Sequence, residues 1–439
     1  MRLIEEIVSE ENLRAAIAAV KSNKGAPGVD KMPTDALDDW FGENWGELRS
    51  LILSGEYVPQ PVRRVYIPKA NGKKRPLGIP TVVDRVVQQM LAQKLVSIYE
   101  PLFSEYSHGF RPGRSCTTAM EWVLLYVNEG KDWVIDLDIE KFFDTVNHDK
   151  LISILRERVN DAGTLRLVRS FLRAGVMEDG LVRTPEEGTP QGGPVSPVLS
   201  NIYLDRLDKE LESRGLSFVR YADDCNIFVS SEKAAVRVME SVSRWLEKEL
   251  RLKVSPAKTK VVRPNKSEFL GFGFWKSGGV WRCKPAESRK QRLKDKVKEL
   301  TLRKKAAALP LDVTFNKLNW LIRGWINYFK IGDMKTFMAE FGEWLRHKVR
   351  VVIVKQWKRP PTIYKNLQTL NRKFKCRFTD EEIYASANSR LGLYRKTGLR
   401  TYNFLLSPKV LAMPNKTRPG LVNPLEYYIS AREKFLFTL

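Results

Sequence analysis

The sequence predicts an α+β chain, and three observations carry that prediction. Residues 133–139 (WVIDLDI) alternate apolar with acidic, the period-two pattern of a strand with one buried face. Apolar, β-prone stretches (Phe218-Val219-Arg220 and Cys225–Val229) flank Tyr221-Ala222-Asp223-Asp224, which reads as a β-hairpin with two adjacent carboxylates at its tip. From Pro285 onward the chain changes to long basic stretches with apolar residues at helical spacing.

Along the chain, residues 1 to 22 read as an amphipathic helix ended by the turn-rich Asn23–Gly28, and a second helix covers 34–54. Tyr57 to Ile79 reads as two strands joined at Asn71-Gly72, a strong hairpin signal. Thr81 to Tyr99 is helical, with Val87, Met90, Leu91 and Leu95 on one face, and helix, strand and helix follow through residue 175. A further helix spans Leu199–Arg214, then come the acidic hairpin and a helix over 231–250. Residues 286–308 and 313–358 read as long basic helices broken near Leu309-Pro310. Pro360-Pro361 reads as a linker to a basic, mixed segment that runs to residue 439.

The chain has 439 residues, 43% hydrophobic and 29% charged, enough for a sizeable core and more than one domain. Its net charge is +24, and the excess is uneven. Residues 1–280 carry 40 basic and 39 acidic groups, whereas residues 281–439 carry 35 basic and 12 acidic groups. That bias points to a polyanionic partner, with nucleic acid the first candidate. Four scattered cysteines (Cys116, Cys225, Cys283 and Cys376) form no Cys-x-x-Cys pair, so neither a disulfide framework nor a zinc signature is expected, and the usage fits a reducing cytosol. No apolar stretch approaches the ~20 residues of a membrane span, and the acidic N-terminus lacks a signal-peptide pattern.

The two acidic elements carry the chemistry. A strand over 133–139 puts Asp136 and Asp138 on one face and Ile135, Leu137 and Ile139 on the other. Like charges on one face cost stability, and hard carboxylate oxygens suit Mg²⁺. Carboxylates brought from separate elements are what two-metal phosphoryl transfer requires.

The motifs resemble those of the reverse transcriptases encoded by group II introns. Asp138 followed by Phe143-Asp144 resembles the first catalytic motif, and Tyr221-Ala222-Asp223-Asp224 the second. Between them, Gly188-Thr189-Pro190-Gln191-Gly192-Gly193-Pro194-Val195-Ser196-Pro197 resembles the glutamine-glycine loop. Upstream, Ile67-Pro68-Lys69, Arg75–Pro80 and His108–Ser115 resemble the fingers motifs. Downstream, Leu252-Lys253-Val254, Lys258-Thr259-Lys260 and Phe269–Phe272 resemble the end of the palm, and Gly324–Phe329 the thumb or maturase domain. The resemblance runs from near residue 20 to about residue 360.

It implies a right-hand polymerase with fingers, an antiparallel-sheet palm, a helical thumb and a small basic DNA-binding region. The implied division is an N-terminal extension over 1–60, fingers and palm over 61–276, thumb over 277–360 and a DNA-binding domain over 361–439. The implied function is RNA-directed DNA synthesis with two Mg²⁺ ions, together with maturase activity in splicing and a role in retrohoming. Asp138 and Asp223 would ligate both ions and Asp224 would support the second motif, while Asp136 and Asp144 are read as structural acids. Phe143 would be the steric gate that excludes a 2′-hydroxyl. Lys69 and Arg75 would reach the incoming triphosphate or belong to a general phosphate patch, since residues 61–75 hold six basic groups and no acid. Gln191 would contact the nascent base pair or the dNTP, with Gly192 and Gly193 allowing close backbone approach. Lys258 is either a proton donor to pyrophosphate or a solvated lysine in a basic run. Arg111 and Arg114 would order the fingers or touch template phosphate, and no histidine is assigned to metal. Expected partners are intron RNA as template, a DNA primer or target and dNTPs, in the bacterial cytoplasm or nucleoid and without a membrane. No Cys-pair and His cluster of the endonuclease domain is seen, which leaves priming to an existing 3′ end. A splicing factor with a vestigial polymerase site, or a host-domesticated or defence-associated reverse transcriptase, are the alternatives.

Overall fold

The computed structural model describes residues 2–436, apart from 69–71, 73, 179–180, 184–187, 189–191 and 416–417. Of residues 75, 178, 181–183 and 436 it describes the backbone alone. The chain forms two compact units, Met1–Pro264 and Asn265–Leu439.

The strands of the first unit are β1 (Val62–Pro68), β2 (Lys74–Ile79), β3 (Trp133–Asp138), β4 (Val176–Glu178), β5 (Leu181–Arg183), β6 (Ser217–Tyr221), β7 (Asp224–Val229) and β8 (Lys260–Val262). They build two sheets. One, in the order β6-β7-β3-β8, is antiparallel throughout. The other, in the order β2-β1-β4-β5, pairs β1 with β4 in parallel and is otherwise antiparallel.

The acidic strand β3 lies inside the first sheet, between β7 and β8. Its alternation does what period two requires. Ile135 and Leu137 are buried with Phe218 and Ile227 in a core that also takes Ala235 and Val242 from the helix Glu232–Trp245. Asp136 and Asp138 face the other way and are half-buried. Helices Val82–Tyr99, His148–Arg156, Ala162–Leu172 and Ser196–Ser213 contribute much of that core, and the N-terminal helices add Leu13, Leu37, Phe41 and Ile52.

The second unit opens with an antiparallel sheet of β9 (Glu268–Phe269), β10 (Phe272–Ser277) and β11 (Val280–Pro285), and is helical thereafter. The helix Leu311–Phe329 buries Phe315, Leu318, Ile322 and Ile326, a stripe at helical spacing. It leaves Trp320 72% exposed. No helix among the described residues is long and apolar enough to cross a membrane.

Three local expectations are corrected. The N-terminal helix is two helices, Leu3–Ile7 and Glu10–Ser22, because the Ser9 hydroxyl accepts from Asn12 N and starts the second. The segment 313–358 is likewise two helices, Leu311–Phe329 and Lys335–Trp357. Between them Gly332 N turns back onto the Phe329 carbonyl at 2.8 Å and Asp333 N donates to the Cys283 carbonyl at 2.8 Å, so the helical ladder is interrupted. Pro360-Pro361 is no linker: it forms the first turn of the helix Pro360–Lys373, where a missing N–H costs nothing.

Asp161 ties two elements together. Its carboxylate accepts from Gly163 N and Thr164 N at 3.3 and 3.2 Å, capping the helix Ala162–Leu172, and from Ile4 N at 2.8 Å. Partial burial pushes its pKa up, but the bonds from Thr164, Ile4 and Gly163 outweigh that and hold the carboxyl below its usual range. A depressed carboxylate contributes stability above its unfolded pKa of about 4 and loses it as pH falls through the folded value. Asp161→Ala is therefore expected to cost about 1–2 kcal/mol in urea unfolding at pH 7. The gap to the wild type should narrow below about pH 4.

Candidate active site

The β6–β7 hairpin closes through two residues, Ala222 and Asp223. Such loops favour positive φ at the first turn position, and Ala222 takes φ +58° even though it carries a Cβ. The strain, roughly 1–2 kcal/mol for a non-glycine residue, is held in place by the packing around it. Gly109 shows how tight that packing is, because a Cβ there would sit 2.3 Å from Ala222 N. Asp223 thus stands at the turn, and Asp224 is the first residue of β7 rather than part of the tip.

The register brings the acidic elements together. Asp138, at the end of β3, pairs directly with Asp224, and Asp136 pairs with Asn226 on one side and Lys260 on the other. Asp224 keeps an exposed edge, but the protein packed around it removes much of its water. That desolvation, followed by the charges of Asp223, Asp138 and Asp136, pushes its pKa up to about 6, while Lys258 pulls the other way.

Lys258 joins this carboxylate cluster. Its ammonium donates to both oxygens of Asp138, at 2.9 Å each. The segment bearing it is stitched to the end of β3. Ser255 N donates to the Asp138 carbonyl at 2.8 Å, Asp138 N donates to the Thr259 hydroxyl at 3.2 Å, and Glu140 N donates to the Lys253 carbonyl at 2.8 Å. Lys260 makes a looser pair with Asp136, at 3.4 Å. Among the described residues no three carboxylate, histidine or cysteine side chains are gathered into a ready metal cage. The donor chemistry nevertheless fits a hard divalent cation: three carboxylates share one sheet end, desolvation and then like charge have shifted one of them, and a lysine ammonium stands in as a cation on another.

Phe143 lies half-buried beside this cluster in sequence, its ring edge-on to Phe142 at a centroid distance of 5.2 Å. The glycine loop is anchored on its neighbours at both ends. At one end, Gly188 has φ +94°, donates to the Val146 carbonyl at 2.9 Å and accepts from His148 Nε2 at 2.6 Å. A Cβ on Gly188 would lie 2.8 Å from the Phe143 carbonyl. At the other end, a Cβ on Gly192 would meet the Gly78 carbonyl at 2.2 Å, and one on Gly193 the Gln88 amide oxygen at 2.0 Å. Lys69 and Gln191 lie outside the described residues, as does the side chain of Arg75, whose backbone pairs with Ile67.

His148 and Gln88 escaped the sequence reading, since each is a single polar residue on an amphipathic helix with no motif around it. Arg111 serves order rather than phosphate: it is buried, paired with Glu100 at 2.9 Å and bonded to the Ser107 carbonyl at 2.8 Å.

Two family models match the chain. Residues 67–274 match the reverse transcriptase (RNA-dependent DNA polymerase) family, and residues 290–371 match the group II intron, maturase-specific domain. Among curated proteins, YkfC of Escherichia coli (strain K12) is 37% identical over 304 residues, 60% of this chain and 80% of that protein. The group II intron-encoded protein LtrA of Lactococcus lactis subsp. cremoris is 39% identical over 220 residues, 50% of this chain and 36% of LtrA. The putative COX1/OXI3 intron 2 protein of Saccharomyces cerevisiae is 37% identical over 216 residues, 48% of this chain and 25% of that protein. The match thus spans most of YkfC but well under half of the two intron-encoded relatives. The chain belongs to the reverse transcriptases of the group II intron-encoded, maturase-bearing type. Its enzyme class is RNA-directed DNA polymerase, a family that works with divalent metal such as Mg²⁺.

The tether between His148 and Gly188 is testable. His148→Ala leaves a buried carbonyl without its donor, a loss of about 1–3 kcal/mol. The variant is expected to melt lower and to raise KM for dNTP in steady-state extension, with His148→Gln recovering part of both.

Proposed function

We propose that this chain copies RNA into DNA at the sheet end where Asp138, Asp223 and Asp224 meet, and that the RNA it copies is that of its parent intron. The observation that carries the reading is the pairing of Asp138 with Asp224, one residue from the hairpin turn that bears Asp223. Asp138 and Asp223, supported by Asp224, are the residues to hold two Mg²⁺ ions, and metal bound there would acidify the primer 3′-hydroxyl and offset charge on the leaving pyrophosphate. Lys258 would yield Asp138 when metal arrives and would then lie within reach of pyrophosphate as a proton donor.

The remaining assignments follow the same reading. Phe143 walls off the space of a 2′-hydroxyl, which leaves a ribonucleotide poorly accommodated. Gln191 would meet the nascent base pair or dNTP, and Lys69 and Arg75 would reach its triphosphate. Residues 61–276 supply fingers and palm, 277–360 a thumb and 361–439 a DNA-binding region, with 1–60 as an extension. Trp320, exposed between Lys317 and Arg323 at one-turn spacing, suits contact with an RNA strand through base stacking and phosphate pairing. Binding and splicing of intron RNA, and retrohoming into a DNA target, complete the proposal.

Primer extension on an RNA template tests it. Wild-type protein should extend with dNTPs and Mg²⁺, and Asp223→Ala should abolish synthesis while intron RNA binding survives. RNA binding by a wild type that extends nothing would favour the splicing-factor reading instead. In the same assay Phe143→Ala should lose discrimination between dNTPs and rNTPs by about tenfold or more. Unchanged discrimination would remove Phe143 from the gate.

A further inference from the structure

Arg220 is fully buried two residues before the turn that carries Asp223. Its guanidinium is used on two edges. Nε and Nη2 donate to the two oxygens of Asp208, at 2.7 and 2.5 Å, and Asp208 is itself wholly buried. Nη1 donates to the Asn201 side-chain oxygen at 3.0 Å and to the Ala222 carbonyl at 2.9 Å. Asn201 in turn donates to the Gly109 carbonyl at 2.8 Å. Gly109 is the residue packed against Ala222 N. The backbone of Arg220 closes the circuit, with its N–H donating to the Tyr106 carbonyl and its carbonyl accepting from His108 N, both at 2.9 Å. Asn201 and Asp208 stand seven residues apart on one helix, Ser196–Ser213, and so share a face.

A buried ion pair is weak evidence of stability, because well-packed apolar residues in its place are often neutral or better. What apolar residues could not supply is the bond to the Ala222 carbonyl. That oxygen lies in the same rigid peptide plane as the nitrogen and Cα of Asp223. Holding it fixes the direction in which Asp223 leaves the turn, at a residue whose left-handed φ would otherwise favour relaxation. Only an arginine presents a bidentate edge for Asp208 and a further donor for the turn at once.

We propose that Arg220, locked by Asp208 and Asn201, is a positioning residue that aims Asp223 toward Asp138 and thereby sets the affinity of the site for divalent metal. The proposal rests on the reading of Asp223 as a metal ligand.

The test is the double variant Arg220→Met/Asp208→Leu, which removes both charges together and so leaves neither buried alone. Three quantities are measured: melting temperature without metal, Mn²⁺ affinity of the nucleic-acid-free protein by electron paramagnetic resonance, and kcat and KM for dNTP. The expected result is a protein that melts near the wild type, with Mn²⁺ affinity and kcat each reduced about 10- to 100-fold and KM for dNTP little changed. A folded double variant with wild-type Mn²⁺ affinity overturns the proposal. If it does not fold, Arg220→Lys, which keeps a cation for Asp208 but lacks the planar edge that serves Asp208 and the Ala222 carbonyl together, carries the test: weakened Mn²⁺ binding supports the proposal and unchanged binding overturns it. Asp223→Ala separates the two levels. Should that variant keep full Mn²⁺ affinity and extension, the metal-ligand reading itself fails. Should it lose both while the double variant loses neither, the positioning role alone fails.

Discussion

Carboxylates do not gather on neighbouring strands of an antiparallel sheet without cost, and this protein gathers them where β3 meets β7. Asp138 and Asp224 are direct partners, Asp223 is the next residue along the turn, and Asp136 stands two residues back on the same face of β3. The repulsion is visible in Asp224, whose carboxyl desolvation and like charge drive up to about 6. Lysines answer part of it, Lys258 on Asp138 and Lys260 on Asp136. Both are exposed side chains on a short edge strand or its approach, so they can be displaced by a competing cation at little cost. The concentration of negative charge is thus a standing invitation to metal, and the surrounding backbone is arranged to sustain it.

That arrangement is made by close approach rather than by bulk. Gly109 against the acidic turn, Gly188 against the segment after Phe143, and Gly192 against Gly78 are places where any Cβ would collide with backbone. Gly188 and Gly192 each join two elements that carry proposed functional residues, and Gly109 buttresses the turn that bears Asp223. The same close approach bears on Ala222, where Gly109 against its nitrogen and the Arg220 bond to its carbonyl hold a conformation that the residue alone would not choose.

Much of this could be read from the sequence because it is written in period and spacing. The alternation of 133–139 gives β3 and its two faces, and the apolar flanks of Tyr221–Asp224 give the hairpin. Neither gives the pairing partner, since strand register is a tertiary fact, and only the order of motifs suggested that the two would meet. What was missed is long-range and polar. Arg220 reads as one charged residue in an apolar strand, and nothing local says that Asp208 and Asn201 wait for it on a preceding helix. Pro360-Pro361 misled because proline ends one helix and begins another equally well, and the difference lies in whether residues after it continue the helical pattern. The break at Lys330–Met334 was hidden because apolar residues recur at helical spacing on both sides of it.

The central claim concerns where metal sits, and an anomalous-difference map is its most direct measure. Crystals of the protein with an RNA template, a DNA primer ending in a 3′-deoxy nucleotide, an incoming dNTP and Mn²⁺ would locate the ions without reference to activity. The account predicts two peaks bridged by the carboxylates of Asp138 and Asp223, with Lys258 withdrawn from Asp138. Manganese bound elsewhere, with Asp138 still paired to Lys258 in the presence of all substrates, would contradict it.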